Sequence, residues 1–386
     1  MNVLFLCWEY PPSGAGIGRY VAEMATALSE SGHRAVVLTS RVEEQPETEL
    51  AEGVLIRRLF NRDEIRSSRV AQLAADLARE HKADWIEGAE HWGECSALLR
   101  LRSRPPVVVK MHYNDVLRTA RHAQAWYSWQ RPLIDLACWR QWRSIRAERY
   151  SIEHADVLLA PCRRIIEEGE QQGLALPECR AVVPNPIRAM ENWVNREAEE
   201  PTLLLVGRLD IGKGLPYIRG LLEQLTRHIP RLRLEVAGGD SYARGLGSLK
   251  RWLERRLGPL APRVAFLGVL NRRELDEAYR RAWVSLVPSR WDTFPQVVLE
   301  AMVRGKAIVA SPHGGMPEML GGTHNAIADP ATADFADAVL RFLQNPALRL
   351  QAGAEGREVA KQQFAPRVIA DQYVATIGAM RRRGVT

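Results

Sequence analysis

Cysteine is scarce in this chain, and long apolar runs are absent. The five cysteines among 386 residues are scattered, and none forms a C-x-x-C pair. This distribution argues against a disulfide framework or a zinc site and favours a reducing cytoplasm. The apolar start, Asn2 to Trp8, is interrupted by Glu9 and two prolines, so it predicts neither a signal peptide nor a membrane span. No other apolar stretch approaches the roughly 18–20 residues that a membrane helix needs.

The charge is balanced in one half of the chain only. Residues 1–188 contain 25 basic and 25 acidic residues, whereas residues 189–386 contain 28 and 21, which accounts for the net charge of +7. A basic excess of this size is compatible with phosphorylated or anionic ligands, or with a solvated arginine-rich surface. No recognised nucleic-acid-binding motif accompanies it, so a nucleic-acid partner is not expected.

The first half begins with a strand–loop–helix–strand pattern. A buried strand is predicted over Val3–Trp8, and a loop rich in proline and glycine follows it. The next segment has an apolar helical face and ends at Gly32, which is suited to a C-terminal cap. A second strand is predicted over Ala35–Thr39. Such units produce parallel sheets.

The second half repeats this order. A strand at Leu203–Gly207 precedes a loop containing Gly212-Lys213-Gly214, a helix is predicted over Leu215–Ile229, and a strand over Leu232–Ala237. Asn271, with Glu274 three residues later, predicts a capping box at the start of a helix. Further strands are predicted at Trp85–Ile86, Val107–Met111, Val264–Leu267, Trp283–Val287 and Ala307–Ala310.

These patterns predict an α/β protein with two doubly wound, Rossmann-like domains facing a cleft. The seam is expected from Val183 to Glu200, where proline and charge cluster and the periodicity is lost. Ligands in such sheets bind beyond the carboxyl ends of the strands. The candidate loops all follow predicted strands; they contain Gly14–Gly18, His112, Arg208–Lys213, Gly238-Gly239 and Asp292–Glu300.

Asp292 and Glu300 are separated by seven residues in the segment PSRWDTFPQVVLEAM. Eight steps along a helix span about 12 Å, which suits two contacts on an elongated ligand better than a cooperating acid pair. The residues around Glu300 are apolar, so a buried or cleft position is expected for its carboxylate. Residues Thr293, Phe294, Pro295 and Gln296 are predicted to lie at the helix start, where backbone N–H groups are available.

Two cations accompany the glycine-rich turn of the second half. Arg208 and Lys213 flank the end of a predicted strand, where they could neutralise a leaving nucleotide diphosphate. Gly239 and Leu270 follow further predicted strands, and the family resemblance described in the next paragraph implies that their backbone borders the nucleotide base. In the first half, Gly14, Gly16 and Gly18 precede a helix whose N–H groups favour anions, and Gly16 is the preferred candidate.

In order and spacing, these elements resemble the GT-B glycosyltransferases, and within them the retaining family 4 enzymes. The matching segments run nearly from end to end: GAGIGRYVAEMATALSESGH, VVKMH, VVPNPI, VGRLDIGKG, VAFLGVL and PSRWDTFPQVVLEAMVRGKAIVAS. One position departs from the family's signature, because Asp292 stands where a glutamate is usual. The resemblance implies metal-independent, retaining transfer of a hexose from a UDP-, GDP- or ADP-sugar to a sugar, lipid-linked or small-molecule acceptor, in glycan, glycolipid or polysaccharide biosynthesis.

The resemblance also implies domains and residue roles. Residues 1–188 would bind the acceptor, residues 189–365 the nucleotide sugar, and a helix in residues 366–386 would pack back on the first domain. Arg208 and Lys213 would stabilise the leaving diphosphate, His112 and Asp292 would contact the donor sugar, and Glu300 would hold the ribose. No cofactor or metal is expected. A sugar-nucleotide epimerase and a catalytically inactive scaffold remain as alternatives.

The acceptor side is marked by Glu90, His91, Trp92 and Glu94, which follow a predicted strand; Arg19 and Trp126 are further candidates. The segment 116–150 carries seven arginines and four tryptophans against two acidic residues. It could rest on the inner face of a membrane as a peripheral contact of a cytoplasmic protein. It could also pack its tryptophan face on its own domain, which the neutral charge of the N-terminal half favours.

Overall fold

The computed structural model describes residues 1–12, 16–112, 116–117, 131–243 and 245–382, with the backbone alone over 131–141. Contacts divide the chain into two compact units. One contains Met1–Pro186 and the segment from Phe364 onwards, and the other contains Ile187–Gln363. The division falls inside the segment that the loss of periodicity indicated as a seam.

The N-terminal unit is built on an eight-stranded sheet within the described residues, in the order β3-β4-β2-β1-β5-β6-β7-β8. All neighbouring pairs are parallel except β3 and β4. The strands are β1 (Asn2–Leu6), β2 (Arg34–Ser40), β3 (Thr48–Ala51), β4 (Val54–Phe60), β5 (Trp85–Ala89), β6 (Val107–Lys110), β7 (Val157–Ala160) and β8 (Arg180–Val182). The central strands are buried throughout apart from half-buried Asn2 at the start of β1, as a parallel sheet covered on both faces requires.

Several helices belong to this unit, and the first two bury apolar faces. They are α1 (Gly16–Glu30), α2 (Ser68–Glu80), α3 (Arg131–Glu153), α4 (Arg163–Gln171) and, from the end of the chain, α12 (Pro366–Arg382). Helix α12 contributes Ile369, Tyr373 and Ile377 to the same core as β1 and α1. The Trp85 Nε1–H donates to the Tyr373 hydroxyl at 2.7 Å inside that core. The C-terminal helix is therefore part of the N-terminal unit.

The part of the C-terminal unit that the structure describes has a six-stranded parallel sheet in the order β13-β10-β9-β14-β15-β16, together with a small hairpin, β11-β12. The strands are β9 (Thr202–Val206), β10 (Arg233–Ala237), β11 (Tyr242–Ala243), β12 (Gly247–Ser248), β13 (Val264–Gly268), β14 (Val284–Val287), β15 (Ala307–Ala310) and β16 (Ala326–Ile327). The helices are α5 (Ile218–Leu225), α6 (Leu249–Leu257), α7 (Arg272–Arg281), α8 (Gln296–Val303), α9 (Met316–Leu320), α10 (Ala333–Gln344) and α11 (Pro346–Gln363).

Most predicted elements are present, with shifted ends. The helix predicted over Leu215–Ile229 is shorter, because a 3-10 turn at Leu215–Tyr217 precedes α5 and α5 ends at Leu225. The capping box is confirmed: the Asn271 side chain accepts the Glu274 N–H at 3.0 Å, and the Glu274 carboxylate accepts the Asn271 N–H at 2.8 Å.

The packing expected for the tryptophan face of segment 116–150 is wrong at Trp142. This side chain is 52% exposed, and the guanidinium of Arg146, one turn later on α3, lies 4.5 Å from its ring centroid. The indole is partly covered by a neighbouring arginine instead of by the sheet. Trp126 and Trp129 lie outside the described residues, and for Trp139 the backbone alone is described.

Candidate functional site

The carboxyl ends of β9, β14 and β15 lie side by side in the C-terminal sheet. These strands are neighbours and parallel, so the loops that follow them leave the same edge. That edge is where ligands bind in open α/β sheets. The predicted donor residues Arg208 and Lys213 follow β9, and Asp292 follows β14.

The loop after β9 is fixed to the loop after β14 by backbone contacts. Gly214 has a φ of 85°, and a Cβ placed on it would lie 2.1 Å from the Pro288 carbonyl oxygen, so only glycine fits there. The Arg290 N–H donates to the Gly212 carbonyl at 2.8 Å. The Asp210 carboxylate accepts the Gly212 N–H at 2.7 Å and caps the 3-10 turn Ile211–Lys213. This turn therefore has a defined position relative to the Asp292 loop.

Lys213 and Asp292 form an ion pair between the two loops. The Lys213 ammonium donates to Asp292 Oδ2. The Lys213 side chain is 36% exposed and the Asp292 side chain 15%, so an approaching ligand can reach the pair. Arg208 is exposed, and no ion pair to it occurs among the described residues. The two predicted cations thus differ, since only Lys213 is already partnered by a carboxylate.

Asp292 lies in a loop held from its other side by Gly314, which follows β15. Gly314 has a φ of 68°, and a Cβ on it would lie 1.8 Å from the Asp292 carbonyl oxygen. The Gly315 N–H donates to the carbonyls of Asp292 and Thr293 at 3.2 and 3.1 Å. Because Asp292 precedes α8, the helical estimate of its distance from Glu300 does not apply.

The buried position expected for Glu300 is confirmed. Glu300 is 5% exposed on α8, and its Oε2 lies 3.5 Å from the Tyr279 hydroxyl. Tyr279, on α7, has no separate sequence signal that links it to Glu300. Thr293, Phe294 and Pro295 are buried ahead of the helix. The amide atoms of Gln296 are buried with no hydrogen-bond partner among the described residues, at the start of α8.

The region predicted to border a nucleotide base contains Gly239 and Leu270, which follow β10 and β13. Both residues are half-buried, and the Gly239 carbonyl accepts the Leu209 N–H at 2.9 Å. The neighbouring Val269 side chain is 82% exposed. The loops after β9, β10 and β13 are therefore joined at the same edge of the sheet.

In the N-terminal unit, the N-terminus of α1 already holds a carboxylate that the sequence analysis missed. Glu9 is 5% exposed, and its Oε1 accepts the N–H groups of Ile17 and Gly18 at 3.1 Å each. A carboxylate is favourable there, because helix N-termini attract negative charge. Gly16, the first residue of α1, is exposed, and Gly14 lies outside the described residues. The signal was an acid shortly before a glycine-rich helix start.

His112 follows β6 and is held by Glu90. Both Glu90 carboxylate oxygens accept the His112 backbone N–H, at 2.8 and 2.9 Å. The Tyr20 ring meets the imidazole edge-on at 4.4 Å. Burial, and then the charges of Lys110 and His91, lower the pKa of His112 well below its usual value. The imidazole is therefore neutral at pH 7 and suited to hydrogen bonding with hydroxyl groups.

The predicted acceptor residues differ in their exposure to solvent. Glu90 and Glu94 are fully buried, so their carboxylates do not line an open pocket. His91 and Trp92 are half-buried and stacked at 4.8 Å, Arg19 is exposed on α1, and Trp126 lies outside the described residues. Two neighbours of Trp92, namely Trp8 and Arg62, were missed because they follow different strands.

No group of three or more His, Cys, Asp or Glu side chains among the described residues could hold a metal ion. No helix in that part of the chain is long and apolar enough to cross a membrane.

Comparisons with known proteins agree with this architecture. Residues 14–189 match the description "Glycosyltransferase Family 4", and residues 188–359 match "Glycosyl transferases group 1". Glycogen synthase from Mycobacterium tuberculosis is 27% identical over 406 residues, covering 94% of this chain and 91% of that protein.

Two solved structures show the same fold. Sucrose-phosphate synthase from Thermosynechococcus elongatus superimposes with a TM-score of 0.79 at 21% identity, over 99% of this chain and 98% of that one. Anabaena HepE in complex with UDP-glucose gives 0.73 at 19% identity, over 98% and 100%. Since the two family descriptions match adjoining halves of the chain, this protein belongs to the group 1, family 4 glycosyltransferases of the GT-B fold.

Proposed function

We propose that the protein transfers a hexose from a UDP-sugar to an acceptor hydroxyl, with retention at the anomeric carbon and without a metal. The observation that carries the proposal is the arrangement at the edge of the C-terminal sheet. There, Lys213 is paired with Asp292, Arg208 is exposed, and buried Glu300 lies on the helix that follows. The UDP-glucose in the related Anabaena structure supports uridine as the base and glucose as the hexose.

Each residue has a chemical task in this proposal. As the bond between the anomeric carbon and the diphosphate oxygen breaks, negative charge grows on the diphosphate, and Arg208 and Lys213 stabilise it. The acceptor oxygen bonds to the same face of the anomeric carbon, and its proton passes to the leaving diphosphate. Asp292 accepts hydrogen bonds from sugar hydroxyls, and Glu300 accepts them from the ribose.

Asp292 has to exchange partners when the donor binds. In this structure its carboxylate accepts a hydrogen bond from the Lys213 ammonium. A diphosphate is a stronger partner for that ammonium because it carries more charge, so Asp292 is released towards the sugar. Aspartate is one methylene shorter than the glutamate usual in the family, and it still reaches Lys213.

Neutral His112 is assigned to a sugar hydroxyl in this mechanism. Its lowered pKa means that it is uncharged and does not act as an acid at neutral pH. Glu90 fixes the backbone from which the imidazole projects. The N-terminal unit thus offers a neutral, positioned imidazole for hydrogen bonding.

The test is thermal unfolding with UDP, GDP, ADP and CMP and their glucose conjugates, in EDTA throughout. A ligand that binds only the folded state raises the melting temperature. We expect UDP to stabilise the wild type and Arg208→Ala to abolish that shift. The anomeric configuration of the product, measured by NMR with EDTA present, should match that of the donor. Stabilisation by another nucleotide alone would overturn the assignment of uridine. An inverted product would overturn retention. The absence of a shift with every nucleotide would overturn the donor site itself.

A further inference from the structure

Two indole rings and a guanidinium form one cluster in the N-terminal unit. The Trp8 and Trp92 rings stack with their centroids 5.4 Å apart and an interplanar angle of 13°. The guanidinium carbon of Arg62 lies 4.0 Å from the centroid of Trp8 and 5.1 Å from that of Trp92. Both indoles are half-buried and Arg62 is exposed, so the cluster has an accessible side. We call these three residues the Trp–Arg platform.

The platform lies at the ligand-binding edge of its sheet. Trp8 follows β1, Trp92 follows β5 and Arg62 follows β4, and these strands run parallel in the order β4-β2-β1-β5. Residues that follow parallel strands share the carboxyl edge. The three side chains therefore converge although up to 84 residues separate them in the sequence.

Buried polar contacts fix this convergence. The Ser40 hydroxyl donates to the Trp8 carbonyl at 2.5 Å. Arg58, 2% exposed, pairs with Glu49 at 2.8 Å and donates to the Pro11 carbonyl at 3.3 Å. Since Arg58 lies on β4, it ties the loop after β1 to the strand that leads to Arg62. These contacts define where the loop after β1 lies relative to the strand that leads to Arg62.

The backbone of Trp92 is in an unfavourable conformation. Its φ is 54°, in the left-handed region that bulky residues seldom adopt, and Gly93 follows with a φ of 72°. A Cβ on Gly93 would lie 2.4 Å from the Cβ of Ala147, so the turn is pressed against α3. Such strain persists where the surrounding structure requires it, most often at ligand sites. Here it places an indole beside Trp8.

The charge at the platform is positive. Among the described residues, no carboxylate pairs with Arg62. The nearby Glu9 carboxylate is occupied by the N-terminus of α1. Burial, and then the charges of Glu9 and Glu90, raise the pKa of Glu94 well above its usual value, which favours its neutral form. A guanidinium that covers aromatic faces keeps its in-plane N–H groups for an anion.

We infer that the Trp–Arg platform binds an acceptor sugar that carries a phosphate or carboxylate group, its ring against the indoles and its anion on the Arg62 fork. Indoles pack on the apolar faces of sugar rings, and a guanidinium matches both oxyanions with two parallel hydrogen bonds. The inference rests on the proposed transferase function and names the class of its acceptor.

The experiment is calorimetric titration of the wild type with glucose 6-phosphate, glucuronate, glucose and inorganic phosphate. We expect both charged sugars to bind at least tenfold more tightly than glucose or inorganic phosphate. Arg62→Gln should lower the affinity for the charged sugars about tenfold and leave the affinity for glucose unchanged. The matched control Arg66→Gln removes another exposed arginine four residues later and should change neither affinity. Trp92→Ala should lower the affinity for each of the three sugars.

Several outcomes would overturn the inference. They are equal affinity for glucose and the charged sugars, no effect of Arg62→Gln, binding of inorganic phosphate as tight as that of glucose 6-phosphate, or no binding of any sugar. UDP stabilisation, measured on the same variants, separates the two proposals. If UDP still stabilises while the charged sugars fail, only the acceptor class is wrong. If charged sugars bind and no nucleotide does, the platform stands and the donor assignment fails.

Discussion

Replacing Lys213 with methionine tests the central claim about the donor site. The change removes the ammonium and keeps most of the side-chain volume, so it breaks the ion pair with Asp292 without opening a large cavity. The pair is partly exposed, with 36% and 15% of the two side chains accessible. Ion pairs of this exposure contribute about 1 kcal/mol or less to folding.

The effect on catalysis should be far larger than the effect on stability. About 1 kcal/mol corresponds to a decrease in melting temperature of about 2–4 °C for a unit of this size. Loss of one preorganised contact to the developing negative charge typically lowers kcat by about 10²–10³-fold. We therefore expect Lys213→Met to have a melting temperature only slightly below that of the wild type and a kcat/KM lower by about 10²–10³-fold.

The assay measures the melting temperature, kcat/KM and UDP stabilisation on the same preparation. Asp292→Asn is the informative partner, because it breaks the same ion pair and leaves the ammonium in place. It should retain UDP binding and lose the extra stabilisation that UDP-glucose gives over UDP, whereas Lys213→Met should lose UDP binding itself.

The matched control is Lys250→Met, which removes a lysine of similar exposure from its pair with Glu254. It should lose a comparable or smaller amount of stability and keep full activity. The reasoning is refuted if Lys213→Met retains kcat/KM within about threefold of the wild type. It is also refuted if Asp292→Asn and Lys213→Met are indistinguishable in UDP binding, because Lys213 would then only support Asp292.

Three further predictions concern stability. Glu94→Gln should raise the melting temperature at pH 8, because burial raises the pKa of this carboxyl, so the wild type loses stability as the pH rises above the usual glutamate value of 4.5 and the glutamine variant does not. Gly314→Ala should lower stability more than Gly322→Ala, since both glycines have positive φ but only at Gly314 would the new methyl meet the backbone of Asp292. Tyr373→Phe should cost about 1–3 kcal/mol in urea unfolding, because a buried indole N–H loses its acceptor.

Each of these predictions has a distinguishing control. The stabilisation by Glu94→Gln should disappear as the pH falls towards 4.5, and the same change at exposed Glu43 should show no such trend; a difference independent of pH would contradict the reasoning. Equal losses at the two glycines would mean that the contact with Asp292 is unimportant. For Tyr373→Phe, a change below about 0.5 kcal/mol would show that the hydroxyl does not stabilise the packing of the last helix.

Local patterns in the sequence were enough to predict the two repeated α/β units, most strand positions and the loops at the strand ends. Strand and helix periodicity is a property of adjacent residues, and the capping box at Asn271 and Glu274 spans only four positions. The burial of Glu300 was predictable for the same reason, since its apolar neighbours on α8 face the core. The exposure of Trp142 could not be predicted in this way, because the periodicity of apolar residues does not show that Arg146 covers the indole.

What only the tertiary structure decided is which of these loops meet. Lys213 pairs with Asp292, 79 residues away, because β9 and β14 are neighbours and glycines let their loops touch. Trp8, Trp92 and Arg62 converge for a similar reason, since β4, β2, β1 and β5 lie in that order in the sheet. Strand order depends on the packing of the whole domain, and periodicity does not encode it. The sequence by itself therefore determined the family and the elements, whereas the fold alone brought the Lys213–Asp292 ion pair and the Trp–Arg platform together.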